Sequence, residues 1–275
     1  GNGCEHPADP SGRLLVDGDV VTATADKLAV YSSERYCDSR AAASEPAMPS
    51  ELSAAPSPLW IASPRATWWR PASLDELLAL KAAHPQSRVV AGNTELGIEA
   101  RYKSRQCATL LSPRLVAELY AVTEAEGALT LGACASLTAV EALCARRGEA
   151  LPGCAGEAAR AIASMLRWFA STQIRNVACL GGNLVTASPI SDMIPLLVAC
   201  GASVTLVSSA RGKRAVPLSA FLLGYRKVDL REDELLLSVH VPRAEGLEFI
   251  RPFKQARRRE DDISIVTAGL RVRLQ

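Results

Sequence analysis

The chain has 275 residues, 48% of them hydrophobic, with 31 Lys and Arg against 29 Asp and Glu. That near-neutral balance, with the charges interspersed, excludes a net-charge argument for nucleic-acid binding, and no apolar run reaches the roughly 18 residues of a membrane span. The length and apolar content suit one or two globular domains of mixed α+β type.

The opening GNGCEHPADPSG lacks the basic-then-apolar layout of a signal peptide, so the expected compartment is the cytosol, with the peroxisome as the alternative. Eight cysteines stand at positions 4, 37, 107, 134, 144, 154, 179 and 200. No two are spaced as a C-x-x-C pair, so no metal site is expected and most should be reduced, small core residues. A first residue that is Gly and a strand-like alternation running to Gln275 lead to the expectation that the chain is a portion of a longer polypeptide.

Residues 1–60 are rich in Ala, Ser and Pro, and AAASEPAMPSELSAAPSP (41–58) reads as a linker. From Thr67 the texture changes. Ser73-Leu74-Asp75-Glu76 is a capping box that should open a helix running to Ala83, where Pro85 prevents continuation. A strand is expected at 88–91, then a polar turn Gly92-Asn93-Thr94-Glu95, then a second strand-like piece over 98–102. Short strands follow at 107–111 and, after a turn at Glu124–Gly127, at 128–133.

Leu137, Val140, Leu143 and Cys144 put one apolar face on a helix over 137–146, and Ile162, Met165, Leu166 and Phe169 do the same for a longer helix over 156–172. A strand-like Val177–Leu180 meets a second small turn, Gly181-Gly182-Asn183, and a helix should begin at Ser191 or Asp192. Val204–Val207 and Ala215-Val216 form a hairpin over Arg211-Gly212-Lys213, and Glu234–Val241 is a further strand.

The two glycine turns carry the chemistry. Each can present successive backbone N–H groups to an oxygen with no Cβ in the way, as an anion nest does, and two such nests could embrace a diphosphate. Each could equally be an ordinary turn, and neither matches G-x-G-x-x-G or the Walker pattern. Residue chemistry alone therefore leaves two candidate anion nests on an α+β scaffold.

Longer stretches say more. VVAGNTELGIE (89–99), WFASTQIRNVACLGGNLVTASPISD (168–192), GYRK (224–227) and FKQARRREDDISIV (253–266) resemble the flavin domain of the xanthine dehydrogenase family, the molybdenum, iron–sulfur and FAD enzymes of purine breakdown. The resemblance runs in order from about Trp68 to the last residue. It implies the two-subdomain FAD-binding fold of the vanillyl-alcohol oxidase and molybdopterin dehydrogenase type. The implied division is a linker over 1–60 following an iron–sulfur region, an FAD domain over 61–245 (subdomains 61–118 and 119–245), and the start of a truncated C-terminal flavoprotein subdomain over 246–275.

Carried over residue by residue, the resemblance puts Val89, Val90, Ala91, Gly92, Asn93, Thr94, Glu95 and Leu96 on the diphosphate of FAD. Cys179, Leu180, Gly181, Gly182 and Asn183 form the opposing turn, with Thr186 and Ser188 close by. Asp192 would bond the cofactor's polar chain, a role compatible with capping a helix. Phe169 would lie beside the isoalloxazine or serve only in the core, and Leu236 and Lys254 match further flavin contacts.

Tyr225 and Asp261 fall on the side where NAD binds. The run Arg258-Arg259-Glu260-Asp261-Asp262 is by itself a solvated charged loop; by resemblance it favours NAD as acceptor, since negative charge beside the ring attracts a cationic nicotinamide. Family members often carry Gly-Lys at the place of Ser171-Thr172 and a small hydroxyl residue at the place of Cys179. The exchange at position 179 would make it a point of oxidation.

The implied activity is electron transfer from hypoxanthine and xanthine oxidation through molybdopterin and [2Fe-2S] clusters elsewhere in the polypeptide, through FAD, to NAD, in a homodimer. An aldehyde oxidase-like or bacterial molybdo-flavoprotein subunit is the nearest alternative, and a non-catalytic scaffold with an FAD-domain shape is the other.

Overall fold

The computed structural model describes residues 14–16, 19–21, 58–102, 107–125 and 128–274. The linker expected over 41–58 lies, but for Pro58, outside these, as do the tip of the 124–127 turn and the GNGCEHP opening. Strands β1 (Leu14–Val16) and β2 (Asp19–Val21) form an antiparallel pair. Strands β3 (Leu59–Ala62) and β4 (Thr67–Arg70) follow, also antiparallel. The capping box then opens α1 (Leu74–Ala83): Ser73 Oγ accepts the Glu76 amide at 3.2 Å, and the Glu76 carboxylate reaches back to the Ala72 amide at 2.8 Å.

Short β5 (Arg88–Val89) leads into the first glycine turn and then α2 (Leu96–Tyr102), and β6 (Thr109–Leu111) closes a four-stranded sheet of order β3-β4-β6-β5. The strand expected at 98–102 is therefore a helix. The Gly97 and Glu99 amides bond back to the carbonyls of Asn93 and Glu95, which winds the chain helically as it leaves the turn. Ile98 and Tyr102 of this helix point to solvent.

A five-stranded antiparallel sheet, ordered β10-β9-β13-β8-β7, forms the larger layer. Its first strands are β7 (Val122–Ala125) and β8 (Ala128–Gly132). Then come α3 (Leu137–Ala150) and α4 (Glu157–Leu166), packed on each other, with Leu137, Val140, Cys144, Ile162 and Leu166 all fully buried.

The helix expected over 156–172 stops at Leu166. The Trp168 and Phe169 amides bond to Met165 and Leu166 in tight turns, Ala170 takes a left-handed φ of 44°, and a separate α5 (Thr172–Val177) begins. The Val177–Leu180 strand is likewise replaced. Cys179 makes a single bridge with Ser136 and caps α6 (Leu180–Thr186), so Gly181-Gly182-Asn183 is the first turn of a helix rather than a loose turn.

Helix α7 (Met193–Ala199) is capped by Ser191, whose Oγ accepts the Ile194 amide, while the Asp192 carboxylate is used elsewhere. The expected hairpin appears as β9 (Ser203–Ser208) and β10 (Gly212–Pro217); one turn of helix, α8 (Leu218–Phe221), and a small pair, β11 (Leu222–Gly224) and β12 (Lys227–Val228), follow. Central β13 (Leu235–Val241) completes the sheet, bulging between Leu236 and Ser238 where it pairs with β9.

The chain ends in a long antiparallel hairpin, β14 (Leu247–Ala256) and β15 (Ser264–Leu274), laid across α4 and α7. Gly269 permits the approach: a Cβ there would stand 2.5 Å from the Pro195 oxygen and the Leu196 Cα.

Candidate functional site

Between the two sheets lies a cleft of about 810 Å³, lined at one end by Leu77, Lys81 and Ser87 and at the other by Phe169, Arg258 and Asp261. Both glycine turns face it. The first is locked by contact: a Cβ on Gly92 would stand 1.9 Å from the Val177 carbonyl oxygen, so only glycine lets the β5–α2 loop close against the end of α5. Asn93, at φ 57°, turns the chain through the left-handed region that Asn tolerates. The second turn is held by the Gly181 amide donating to Ala133 O at 2.9 Å, with a Cβ on Gly181 colliding with Ala133 at 2.6 Å.

The turns converge on one sulfur. Cys179 Sγ accepts from the Gly182 amide at 3.4 Å, and the Gly92 amide and the Cys134 thiol stand close enough to shift its titration. The Cys134 hydrogen bond and these two amides lower the Cys179 pKa to about 7 against the opposing effect of burial. Cys134 is pushed up by the same bond and by burial.

Asp192 organises the far end. Its carboxylate is bound by Lys254 Nζ at 2.7 Å, by the Ser264 hydroxyl, and by Thr267 Oγ1 at 3.4 Å, while Lys254 also donates to the Trp168 carbonyl at 3.0 Å. Both side chains are 9% exposed, so the charges are compensated by one another and by hydroxyls rather than by water. Asn183 Oδ1 accepts from Ser191 Oγ at 2.7 Å and ties the second turn to the loop before Asp192.

The charged loop is internally built: Asp262 accepts the amides of Arg258 and Ile263 at 2.8 and 2.9 Å, and Arg258 bonds the Asp261 carbonyl at 2.7 Å. Those amide bonds hold the Asp262 carboxyl below the usual aspartate range. Asp261, at φ 49°, is left exposed at the mouth, and Arg259 lies over the Trp168 ring at 5.2 Å.

Most residues singled out from sequence come together in this cleft: Val89, Ala91 through Leu96, Phe169, Cys179, Gly181 through Asn183, Thr186, Ser188, Asp192, Leu236 and Asp261. Val90 and Leu180 face the opposite way, into the core, and Lys254 stands behind Asp192. Tyr225 is 73% exposed over a smaller adjoining cleft of about 510 Å³, where Arg226 pairs with Glu95 at 3.0 Å.

Sequence reasoning missed Cys134, Ser264 and the Lys81–Ser87 end. Lys81 is buried in a helix face and donates to the Pro85 and Ser87 carbonyls, each at 2.8 Å; burial lowers its pKa. No local signal marks such a lysine, because its partners come from the turn after its helix.

The cleft suits a large polar cofactor on its own terms. Its volume falls within the roughly 300–1,000 Å³ of small-molecule sites. Ser87 Oγ, on the cleft wall, is buried without a hydrogen-bond partner among the described residues, a state that costs about 1–3 kcal/mol until something bonds it. Among the described residues no group of His, Cys, Asp or Glu is placed to hold a metal ion, and no helix is long and apolar enough to cross a membrane.

The chain belongs to the family described as FAD binding domain in molybdopterin dehydrogenase, which it matches over residues 64–244. Within that family it is homologous to xanthine dehydrogenases. It is 46% identical over 212 residues to the xanthine dehydrogenase/oxidase of Gallus gallus, covering 77% of this chain and 16% of the relative. It is 44% identical over 242 residues to the xanthine dehydrogenase of Drosophila subobscura, covering 85% and 18%.

The chain thus spans less than a fifth of the length of these relatives. Among solved structures, quinoline 2-oxidoreductase from Pseudomonas putida 86 superposes with a TM-score of 0.67 at 26% identity, over 78% of this chain and 71% of that one. The expected α+β flavin-domain fold is the one found.

Proposed function

We propose that the cleft holds FAD and that the chain is the flavin-binding portion of a xanthine dehydrogenase-type enzyme. In that enzyme electrons from hydroxylation of hypoxanthine to xanthine and urate pass to NAD. The observation that carries the reading is the pair of glycine turns meeting at one point inside a cofactor-sized cleft. Bound FAD would supply a carrier between one-electron iron–sulfur clusters and a two-electron nicotinamide acceptor.

The chain's own residues would hold and orient it. The loop Val89–Leu96 offers amides to the diphosphate, the Cys179–Asn183 turn, whose Gly181, Gly182 and Asn183 amides are bonded within the protein, lines the opposite wall with Thr186 and Ser188 beside it, and the Ser87 hydroxyl finds its partner at the far end. Asp192, fixed by Lys254, presents a carboxylate of set orientation to the cofactor's hydroxyls, and Phe169 and Leu236 supply apolar walls. Exposed Asp261 at the mouth favours approach of a cationic nicotinamide, with Tyr225 taking part from the adjoining cleft.

The remaining partners would be iron–sulfur and molybdenum domains of the same polypeptide, in a homodimer. Residues 246–275 would begin the C-terminal flavoprotein subdomain, whose remainder would pack on the outer face of the β14–β15 hairpin. The linker over 1–60 and the division of 61–245 near residue 118 belong to the same proposal. Free thiols at Cys107, Cys134, Cys144, Cys154, Cys179 and Cys200 fit a reducing, cytoplasmic setting. The likeness to quinoline 2-oxidoreductase supports a second reading, a molybdo-flavoprotein subunit with another reducing substrate.

The visible spectrum of the purified chain after FAD addition and dialysis tests the cofactor. A retained flavin band is expected, and a colourless protein in every preparation overturns the reading. Anaerobic NADH should then bleach the band, more slowly in Asp261→Asn and Tyr225→Ala; a band indifferent to NADH overturns the NAD assignment alone.

A further inference from the structure

The cleft wall carries two thiols side by side. Beyond β8, residues 133–136 run antiparallel to 178–181: Gly181 donates to Ala133 O at 2.9 Å, Leu137 donates to Ala178 O at 2.9 Å, and Ser136 bridges Cys179. That bridge brings Cys134, two residues before Ser136, beside Cys179, and both side chains line the cleft close enough to shift one another's titration. Each residue is 8% exposed, and what exposure they have is toward the cleft that both line. Cys179 Sγ is also the atom to which the Gly92 and Gly182 amides point, so its position sets the geometry of the anion cradle.

We propose that Cys134 and Cys179 are a modification site, forming a disulfide when the cleft is empty, and that this disulfide and bound FAD exclude one another; the second half rests on the flavin reading. The oxidant is a peroxide. The Cys179 thiol gives up its proton, the thiolate attacks one oxygen of hydrogen peroxide, the O–O bond breaks, and the released hydroxide takes up that proton and leaves as water, giving a sulfenic acid. The Cys134 sulfur then attacks that sulfur, the S–O bond breaks, and the hydroxyl leaves with the Cys134 proton as a second water. Two thiols lose two electrons and one peroxide becomes two waters.

The chemistry suits the pair. The Gly182 amide bonded to the Cys179 sulfur favours its thiolate, so Cys179 attacks and Cys134 resolves. Bridging draws Cys179 Sγ toward Cys134 and off the amides of Gly92 and Gly182, which slackens both turns. A cofactor seated on those turns covers the sulfurs. Each state therefore disfavours the other by the same free energy, as linkage requires.

The test uses the whole chain, treated with hydrogen peroxide with and without saturating FAD, digested without reductant and mapped by mass spectrometry. The 134–179 cross-linked peptide is expected in the flavin-free protein and suppressed at least about tenfold by FAD. FAD titration of the oxidised protein should be weaker by a similar factor and recover with dithiothreitol. Cys134→Ser, or Cys134→Ala should that variant fold better, should form no cross-link and stop at a Cys179 sulfenic acid that dimedone labels.

Oxidation of Cys107 and Cys154 without any 134–179 peptide overturns the proposal. Equal cross-linking with and without bound FAD overturns the exclusion. A reduced chain that binds no FAD yet forms the cross-link removes the flavin reading and leaves the thiol pair standing.

Discussion

The two antiparallel regions of the second half are built in opposite senses. In the five-stranded sheet β13 buries Leu235, Leu236, Leu237, Val239 and Val241, and the carboxylate at its rim, Glu234, is met by Arg214 with two bonds of 2.8 Å. In the hairpin the inward side is polar. Glu248 is fully buried against Arg271 and Arg273, Glu157 of α4 reaches the Ile250 amide at 3.2 Å as well as Arg251, and Lys254 and Ser264 meet Asp192.

The apolar side chains Phe249, Phe253, Leu270 and Val272 point outward, between 40% and 55% exposed. The sheet is held by area removed from water, the hairpin by a few directional pairs. Buried ion pairs add little net energy compared with apolar packing but fix one arrangement. The hairpin is therefore set in register on α4 and α7, and its apolar face is left as a surface for something else to cover.

Breaking one member of a hairpin pair should have the largest effect. Lys254→Met leaves the Asp192 carboxylate buried without its cation and should cost about 3–5 kcal/mol in urea unfolding, whereas the double variant with Asp192→Leu should lose less than Lys254→Met alone. A cost under about 1 kcal/mol for Lys254→Met would mean that the pair is solvated.

Apolar deletions sharpen the contrast next. Leu131→Ala in the sheet (0% exposed) and Ile250→Ala, the inward apolar residue of the hairpin (2% exposed), should each cost about 2–5 kcal/mol, with Ile250 nearer the lower end because polar neighbours flank it.

Acid should separate the regions further. The Arg271 bond and the nearby Arg273 hold the Glu248 carboxyl below its ordinary 4.5, against burial, so its contribution to folding is complete above that value and is lost as pH falls through the depressed one. Glu248→Gln should be less stable at neutral pH and show a shallower decline of the urea midpoint below pH 4.5. An unchanged decline would place the acid-sensitive carboxylate elsewhere. The smallest effect is expected on the outer face: Phe253→Ser should change stability by less than about 0.5 kcal/mol while lowering binding of a hydrophobic dye. A loss of about 2 kcal/mol would mean the face is already covered.

Much of the fold was legible where local chemistry is decisive. Ser73 and Glu76 announce a helix start that no tertiary contact alters, and the apolar spacing of Leu137, Val140 and Cys144 gives α3 its buried face. The Val204–Val207 hairpin follows from alternation around a glycine at φ 68°. The two strand errors share one cause. Over 98–102 and 177–180 a few β-branched or alternating residues resemble a strand, but among the described residues neither segment joins a sheet, and the amides bond back along the chain or to one residue across.

For the site, both glycine turns could be found as turns, and most of the residues that the resemblance named line the cleft, beside many that it did not name. Cys134, Ser87 and Ser264 could not be found this way: each reaches the site only because another segment folds beside it.

Residue type and short spacing were enough for the mixed α+β character and for the glycine turns as turns, and the resemblance of longer stretches carried the family. Tertiary structure alone decided that Gly92 and Gly182 point at the same sulfur, that Lys254 meets Asp192 across 62 positions, and that the hairpin turns its charges inward. Direction and pairing at long range are set by which surfaces meet, and a side chain's neighbours in space are not written in its neighbours along the chain.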